Sequence, residues 1–533
     1  MTRRLLRTVA LAGVLGALLA APAPAALETI VQDDATMLFS DADGLRGAAQ
    51  RLKQLGVDQV RITANWSVLT PRGRTAKVKP SFDARDPAAY EQARWTNVDN
   101  AVSAVRDAGL SVLIDIGFWA PRWATKGPSS PRARTNIRAG HYADFAVAVA
   151  RRYSGRFAIP PAALGAPTTP ASEQDPFQEL LAPFFPPPPA PPAASEPLPR
   201  VNAFALWNEP NQPGLLLPQW KTGKRTPASP GIYRRMVRAA YPAIKRVRGD
   251  IRVLIGNTSS NGGARRGRGP VAPLEFLREL ACVNERLRPR TTGGCAHFKR
   301  LPGDGWAHHP YTRNQPPAKS GRRPDDVHIA DLPKLARTLR RLVRRGRLAS
   351  GYRRIYLTEF GFETKYVPGR PTVSQSTQAR WLTWSEYLAE RVPAVRSFAQ
   401  FLLRDQPKAA TVVSNSRARP FGQYSTGLLK ANGTPKTAAT TFRAGLFAAL
   451  RRGGRRVLLY GRLRLGPGKK AITLQRRARR AGWTRIARLR VDGQAAFRRT
   501  FAHRRDAIYR LTFPGLPGAR EPGLPVRPVR ARR

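Results

Sequence analysis

The chain predicts a (β/α)₈ TIM barrel with a small C-terminal all-β sandwich behind it, on three observations. Between Ala35 and about Phe447, eight short apolar, β-rich runs alternate with amphipathic helical stretches, the pattern of βα units around a parallel sheet. From about Arg455 the pattern changes to short alternating runs with turn signals between them and no helical period, which suits an antiparallel sandwich. Finally, 533 residues with 42% hydrophobic and 8% aromatic content can bury a large core, which excludes wholesale disorder.

The elements follow in order. Residues 1–25 read as an export signal: Arg3, Arg4 and Arg7 precede a 13-residue apolar run, and Ala23-Pro24-Ala25 offers small residues for cleavage. The run is too short to span a bilayer of roughly 30 Å, and no later stretch reaches that length without charges, so a secreted protein without a transmembrane segment is expected. The barrel domain is placed at 30–450. Its strands are read as ATMLF around Met37, VDQVRITANW from Val57, SVLIDIGFW from Ser111, VNAFALWNEPN from Val201, IRVLIGNTS from Ile251, GWAHHPY from Gly305, RIYLTEFGFE from Arg354 and VRSFAQFLLRD from Val395. Helical stretches such as GLRGAAQRLKQLG and LPKLARTLRRLVRRG lie between them.

Two segments fall outside the repeat. Residues 155–200 end in FFPPPPAPPAASEPLP; prolines cannot join a sheet interior, so this is a surface insertion at the barrel floor, partly polyproline II. The sandwich is placed at 455–515 and is similar to small β-sandwich modules appended to secreted proteins, with Trp483 and Tyr509 as core aromatics. Catalysis is assigned wholly to the barrel, so the module is expected to be separable near Gly453. Residues 516–533, rich in Arg, Pro and Gly, read as a frayed basic tail.

The 92 basic residues against 34 acidic ones leave a net charge of +58, a balance that raises an acidic polymer or membrane surface as partner. Because 76 of the 92 are Arg, spread along an Ala- and Pro-rich chain, a compositional bias accounts for them as well. The absence of an aromatic-interleaved motif argues against a specific nucleic-acid partner. Two cysteines exclude the usual four-thiolate zinc cluster. Outside the cytosol, Cys282 and Cys295 become candidates for a disulfide.

Chemistry on such a barrel sits at the C-terminal ends of the strands. The fourth run ends ALWNEPN and the seventh YLTEFG, each in a carboxylate, Glu209 and Glu359. These staves face one another across the mouth, so the carboxyls can approach to roughly 5 Å, the separation of retaining glycoside hydrolysis. At that distance one is pushed toward its protonated form, as a general acid requires.

WNEPN with Glu209, TEFG with Glu359 and the strand end His309-Pro310-Tyr311 together resemble the retaining glycoside hydrolases of clan A, especially families five and thirty-nine, over roughly residues 30–450. The resemblance implies Glu209 as acid/base and Glu359 as nucleophile. It implies Asn208 on the sugar 2-hydroxyl, Tyr311 hydrogen-bonded to the nucleophile, and Arg61, ending the second strand, keeping Glu359 ionised.

His309 is expected to face the cleft and His308 to pack behind the barrel, since adjacent strand residues diverge; the same divergence argues against a metal site. Trp66, Phe118, Trp119 and Trp123 offer stacking faces for pyranose rings. The chain departs from the family where the third strand ends IGFW without a histidine, and where the eighth offers Gln400, Phe401 and Arg404 in place of a tryptophan. The expected substrate is a β-linked oligo- or polysaccharide, anionic if Arg122, Arg313 or Arg404 lines the mouth. No metal or organic cofactor is required, and a monomer is expected. Two alternatives remain: a carbohydrate-binding protein that lost turnover on this scaffold, and a cationic cell-surface protein adhering to acidic polymers.

Overall fold

The computed structural model describes residues 27–72, 76–126, 134–160, 196–263, 265–365, 371–407, 424–478, 481–515 and 520–530. The expected export signal and most of the Pro-rich insertion lie outside these residues. Eight strands, β1 (Glu28–Gln32), β2 (Gln59–Asn65), β3 (Ser111–Gly117), β4 (Ala203–Leu206), β5 (Arg252–Ser259), β6 (Gly305–His309), β7 (Ile355–Leu357) and β8 (Val395–Phe401), pair in chain order into a closed parallel barrel. Its helices are α1 (Asp34–Phe39), α2 (Ala42–Gln54), α3 (Trp66–Leu69), α4 (Thr96–Asp107), α5 (Ala139–Arg152), α6 (Ser229–Val247), α7 (Pro273–Leu280), α8 (Leu332–Arg344), α9 (Gln375–Glu390) and α10 (Thr437–Arg443).

Helix α8 shows why these segments coil as they do. Leu332, Leu335, Ala336, Leu339 and Leu342 recur at helical spacing and are buried, while Arg337, Arg340, Arg341 and Arg344 are exposed.

One expected strand is corrected. ATMLF is not β1 but part of α1, because Asp33 caps it by accepting from Thr36 N at 3.0 Å and Thr36 Oγ1 at 2.9 Å. The first strand lies just before it, in ETIVQ, paired with both β2 and β8. The same Asp33 carboxylate accepts from the backbone of Leu403 and Arg404 at 3.1 and 2.9 Å, tying the chain after β8 to the start of α1 at the closure of the barrel. Burial pushes its carboxyl up to about 6.

The barrel interior is filled by Ile30, Leu113, Ala203, Ala205, Leu254, Ala307, Tyr356 and Ala399. Two residues further along three of these strands stand Gln32, Asp115 and His309. Since strand side chains alternate with period two, the apolar layer passes upward into a polar tier beneath the mouth. The stems of the Pro-rich insertion meet at the opposite end, where Val201 N donates to Tyr153 O at 2.9 Å just before β4.

The sandwich is larger than its expected 455–515. Among the described residues it has eight strands: β9 (Ala444–Leu450), β10 (Arg456–Leu463), β11 (Lys469–Arg477), β12 (Thr484–Asp492), β13 (Ala496–Ala502), β14 (Ile508–Pro514), β15 (Arg520–Pro522) and β16 (Val529–Arg530). They form two sheets, β13-β10-β9-β16 and β12-β11-β14-β15. The expected tail therefore does not fray throughout: β15 pairs with β14, and β16 lies parallel to β9. β16 finds its partner about eighty residues back in the chain, so no local pattern announces it, whereas β15 folds back on the neighbouring β14.

The two units share buried structure. Arg464 is enclosed, donates to the Glu386 carboxylate of α9, to Thr29 Oγ1 at 3.0 Å and to Phe442 O at 2.9 Å, and lies 4.2 Å from the centre of the Phe442 ring. Arg462 donates to Leu27 O at 3.1 Å, and Tyr387 of α9 packs with Phe447 and Tyr460 of the sandwich. After α7, Cys282 and Cys295 form a disulfide with Cα atoms 5.6 Å apart. Among the described residues, no helix is long and apolar enough to cross a membrane.

Candidate active site

The site grows from Arg61. It sits in the middle of β2, not at its end as expected, and its long side chain rises fully buried into the polar tier. Its fork contacts Glu359 Oε1 at 2.5 Å through Nη1, and Asp115 Oδ2 at 2.8 Å and Asn208 Oδ1 at 3.1 Å through Nη2. A fourth contact joins it to Gln32 Oε1. Burial alone would lower the guanidinium's pKa, but the charges of Asp115 and Glu359 outweigh it and raise it, so a fixed positive charge is held beneath the mouth.

Glu359 follows β7. Its second oxygen accepts from Tyr311 Oη at 3.3 Å, and Tyr311 is itself stacked on Phe360 with centroids 6.0 Å apart. Glu209 follows β4 on a strained turn, where Trp207 and Glu209 have φ of 63° and 36°. Few non-glycine residues adopt this conformation, and such strain collects at functional sites. The turn interrupts the strand's alternation and delivers the Glu209 carboxylate to the mouth. The backbone N–H of Glu209 donates to Asn257 O at 3.1 Å.

The two carboxylates and the ring of His309 converge. One ligating atom from each lies within 4.8 Å of the other two. His309 Nδ1 is 2.9 Å from Glu209 Oε1 and 3.5 Å from Glu359 Oε2. Burial, together with the charge of Glu359, raises the Glu209 carboxyl above the ordinary glutamate value, against the opposing pull of His309. The environments differ as well: Glu359 is held by a guanidinium and a phenol with its side chain 10% exposed, while Glu209 is 20% exposed. The spacing of the three groups would also admit a cation, but the Arg61 charge beside Glu359 opposes one there.

No protein-family profile matches the chain, and no curated protein matches it in sequence. Among solved structures it is similar to a glucosidase from Croceicoccus marinus, at 12% identity and a TM-score of 0.45 over 92% of this chain and 96% of that one. A GH5_18 protein from Streptomyces cattleya in complex with GlcNAc aligns at 15% identity and TM-score 0.43, over 78% and 79% of the two chains. A β-glucuronidase from Bacteroides uniformis aligns at 11% and 0.41 over 95% of this chain but 46% of its own length. Likeness at this level transfers neither an activity nor any residue's role.

The expected site residues fall into two groups. Arg61, Asn208, Glu209, His309, Tyr311 and Glu359 are gathered at one end of the barrel. His309 is fully buried between the carboxylates and so does not line an open cleft wall. Its neighbour His308 packs behind, bonded to Thr258 Oγ1 and Val327 O at 2.9 Å each, and burial lowers it to about 3.

The aromatics are corrected. Trp66 is 1% exposed, stacked on Phe145 at 5.7 Å and edge-on to Trp123, so its faces are used by the core and no sugar can reach them. Trp119 is likewise buried, with Nε1 donating to Gly214 O at 3.2 Å; Phe118, edge-on to it at 5.0 Å, is only half-buried.

Sequence reading missed the supporting shell. Asp115 binds Arg61 and accepts from Asn257 Nδ2 at 3.0 Å; Asn257 also donates to Trp207 O at 2.8 Å and accepts from Thr358 Oγ1 at 3.0 Å. Burial and the nearby Glu359 charge push the Asp115 carboxyl up to about 6 despite Arg61. A lone Asp in the apolar run SVLIDIG was the available signal, since a buried strand tolerates a carboxylate only with a partner.

Proposed function

We propose that this protein is an exported, retaining O-glycoside hydrolase that cleaves β-linked oligo- or polysaccharides by double displacement. The observation that carries the reading is the pair Glu209 and Glu359, whose oxygens approach within 4.8 Å from the ends of β4 and β7 in unlike surroundings. That spacing suits a carboxylate attacking the anomeric carbon, not one activating a water across a wider gap. Glu359, held by Arg61 and Tyr311, attacks the anomeric carbon as Glu209 protonates the departing glycosidic oxygen. Glu209 then removes a proton from water, which attacks the glycosyl-enzyme and frees Glu359.

Asn208 is oriented through its carbonyl by Arg61, which leaves its amide N–H groups for the sugar 2-hydroxyl. No metal or organic cofactor enters these steps, and the working unit is a monomer. The Cys282–Cys295 disulfide supports an oxidising compartment. A substrate bearing acidic sugars is the reading of Arg122, Arg313 and Arg404 on the loops.

The test is covalent trapping. Among a panel of 2-deoxy-2-fluoro glycosides with good leaving groups, the one accepted should label a peptide containing Glu359. Labelling at Glu363, which Ser425 holds at 2.8 Å, or at Glu386 beneath Arg464 would overturn the assignment.

A further inference from the structure

The arginine excess is scattered in sequence, but one face of the fold gathers it. In the sheet β12-β11-β14-β15, Ile472, Leu474, Tyr509 and Leu511 point into the sandwich core. The alternate positions form the outer face. Edge strand β12 sets Arg485, Arg488 and Arg490 against Gln475, Thr473 and Ala471 of β11, and Arg510 of β14 lies against Gln475 from the other side. Arg477 shares that face, two residues along from Gln475. Within it, half-buried Trp483 lies under both Arg477 and Arg510, whose guanidinium carbons stand 5.0 and 4.1 Å from the indole centre. Trp483 therefore roofs the sheet from outside and is not the core aromatic expected, a place that Tyr509 does take.

Alternate residues on a strand are about 7 Å apart and neighbouring strands about 5 Å, so five arginines, with Lys469 at the start of β11, occupy one continuous surface. Among the described residues, the carboxylate on this face is Asp492 at the end of β12, opposite Lys469 and accepting from Gln494 N at 2.8 Å. The companion sheet packs on the barrel through Tyr387, Phe447 and Tyr460. The arginine face thus lies on the side of the sandwich opposite the sheet that packs on the barrel.

We propose that this face is a docking surface for an acidic polysaccharide, a polymer whose sugars carry carboxylates. Guanidinium groups recognise carboxylates through paired N–H donors. Stacking on Trp483 holds two of them in fixed planes, so less side-chain freedom is lost on binding. A single tryptophan on a flat sheet lacks the row of aromatic platforms used to stack successive bases of a nucleic acid. The choice of a polysaccharide over other polyanions also rests on the glycosidase reading of the barrel.

The test compares two variants of the full chain with equal charge loss: Arg485→Gln/Arg488→Gln/Arg490→Gln on β12, and Arg337→Gln/Arg340→Gln/Arg344→Gln on the exposed side of α8. Binding to polygalacturonate, a DNA duplex and phosphatidylglycerol vesicles is titrated from about 0.05 to 0.3 M salt. The β12 variant should lose about tenfold or more in polygalacturonate affinity, with its salt slope reduced by about 2, while the α8 variant stays within about twofold of the parent. Equal losses in both variants would reduce the effect to net charge and overturn the proposal. Tighter binding of the parent to DNA or vesicles than to polygalacturonate, or no polygalacturonate binding at about 0.15 M salt, overturns it too. Turnover of an aryl glycoside is followed in parallel. Face-dependent binding by a protein that releases no sugar supports the docking surface and sinks the enzymatic reading alone.

Discussion

Arg61 Nη1 and Glu359 Oε1 stand 2.5 Å apart although 298 positions separate them in the chain. The same guanidinium holds Asp115 at 2.8 Å, so the proposed nucleophile is located by a buried charge that is itself braced from β3. Arg61→Lys keeps the charge but cannot span Asp115, Asn208 and Glu359 at once. It should lower kcat/KM by about a hundredfold, the scale of a displacement near 1 Å. Asp115→Asn should lower it less, in the same direction and with KM little changed, since Asp115 acts through Arg61. An unchanged kcat in Asp115→Asn would remove its positioning role.

The division of labour between the carboxylates is open to direct chemistry. Glu209→Ala should slow hydrolysis severely where the leaving group needs a proton, yet spare the first step for a dinitrophenyl glycoside. Azide should then restore turnover and give a β-glycosyl azide of retained configuration. Glu359→Ala should lose about 10⁴-fold or more with every leaving group. Azide rescue of Glu359→Ala with retained product, together with an inverted azide from Glu209→Ala, would reverse the two roles.

The raised Glu209 carboxyl sets the sign of a pH effect. A general acid works while protonated, so raising its pKa extends activity toward higher pH, and kcat/KM falls as pH climbs past it. The alkaline limb of the profile should therefore lie above the ordinary glutamate range. It should vanish in Glu209→Ala assayed on a dinitrophenyl glycoside; a limb that persists there belongs to another group.

The sandwich shares buried contacts with the barrel, so it should not detach as a module. A chain ending at Gly453 would strip β10 from β9 along its whole length and leave Glu386 buried without Arg464 or Arg462. That truncation should yield an insoluble or poorly folded barrel, against the separability that the sequence suggests. The milder Arg464→Met should cost about 3–5 kcal/mol by leaving buried Glu386 with a single, longer contact, read as a lower denaturant midpoint. A Gly453 truncation with parental stability and turnover would refute the coupling.

The Cys282–Cys295 bridge closes a loop with a separation of 13 residues. In the chain-entropy account it contributes about 3 kcal/mol, so Cys282→Ser/Cys295→Ser should unfold at correspondingly lower denaturant. Peptide mapping of the native protein should recover the linked pair; two freely alkylated thiols would refute it.

The sequence by itself determined the (β/α)₈ plan, because a strand or helix that buries one face must repeat apolar residues at its own period, and that repeat is local. It also determined which strand ends carry carboxylates, since WNEPN and TEFG mark the ends of β4 and β7. It misplaced β1, because ATMLF is as apolar as a strand and only the Asp33 cap, with its partners after β8, turns it into a helix. Trp66 read as a sugar platform for a similar reason: composition registers an aromatic ring but not that Phe145 already covers its face. Asp115, Asn257 and the lodging of Arg464 against Glu386 lay beyond reach, since each depends on groups brought together across distant strands. The arginine face follows the same rule. Composition counts charges, but only the pairing of β12, β11 and β14 decides that five of them share a plane, because strand register alone assigns each side chain to the core or to the solvent.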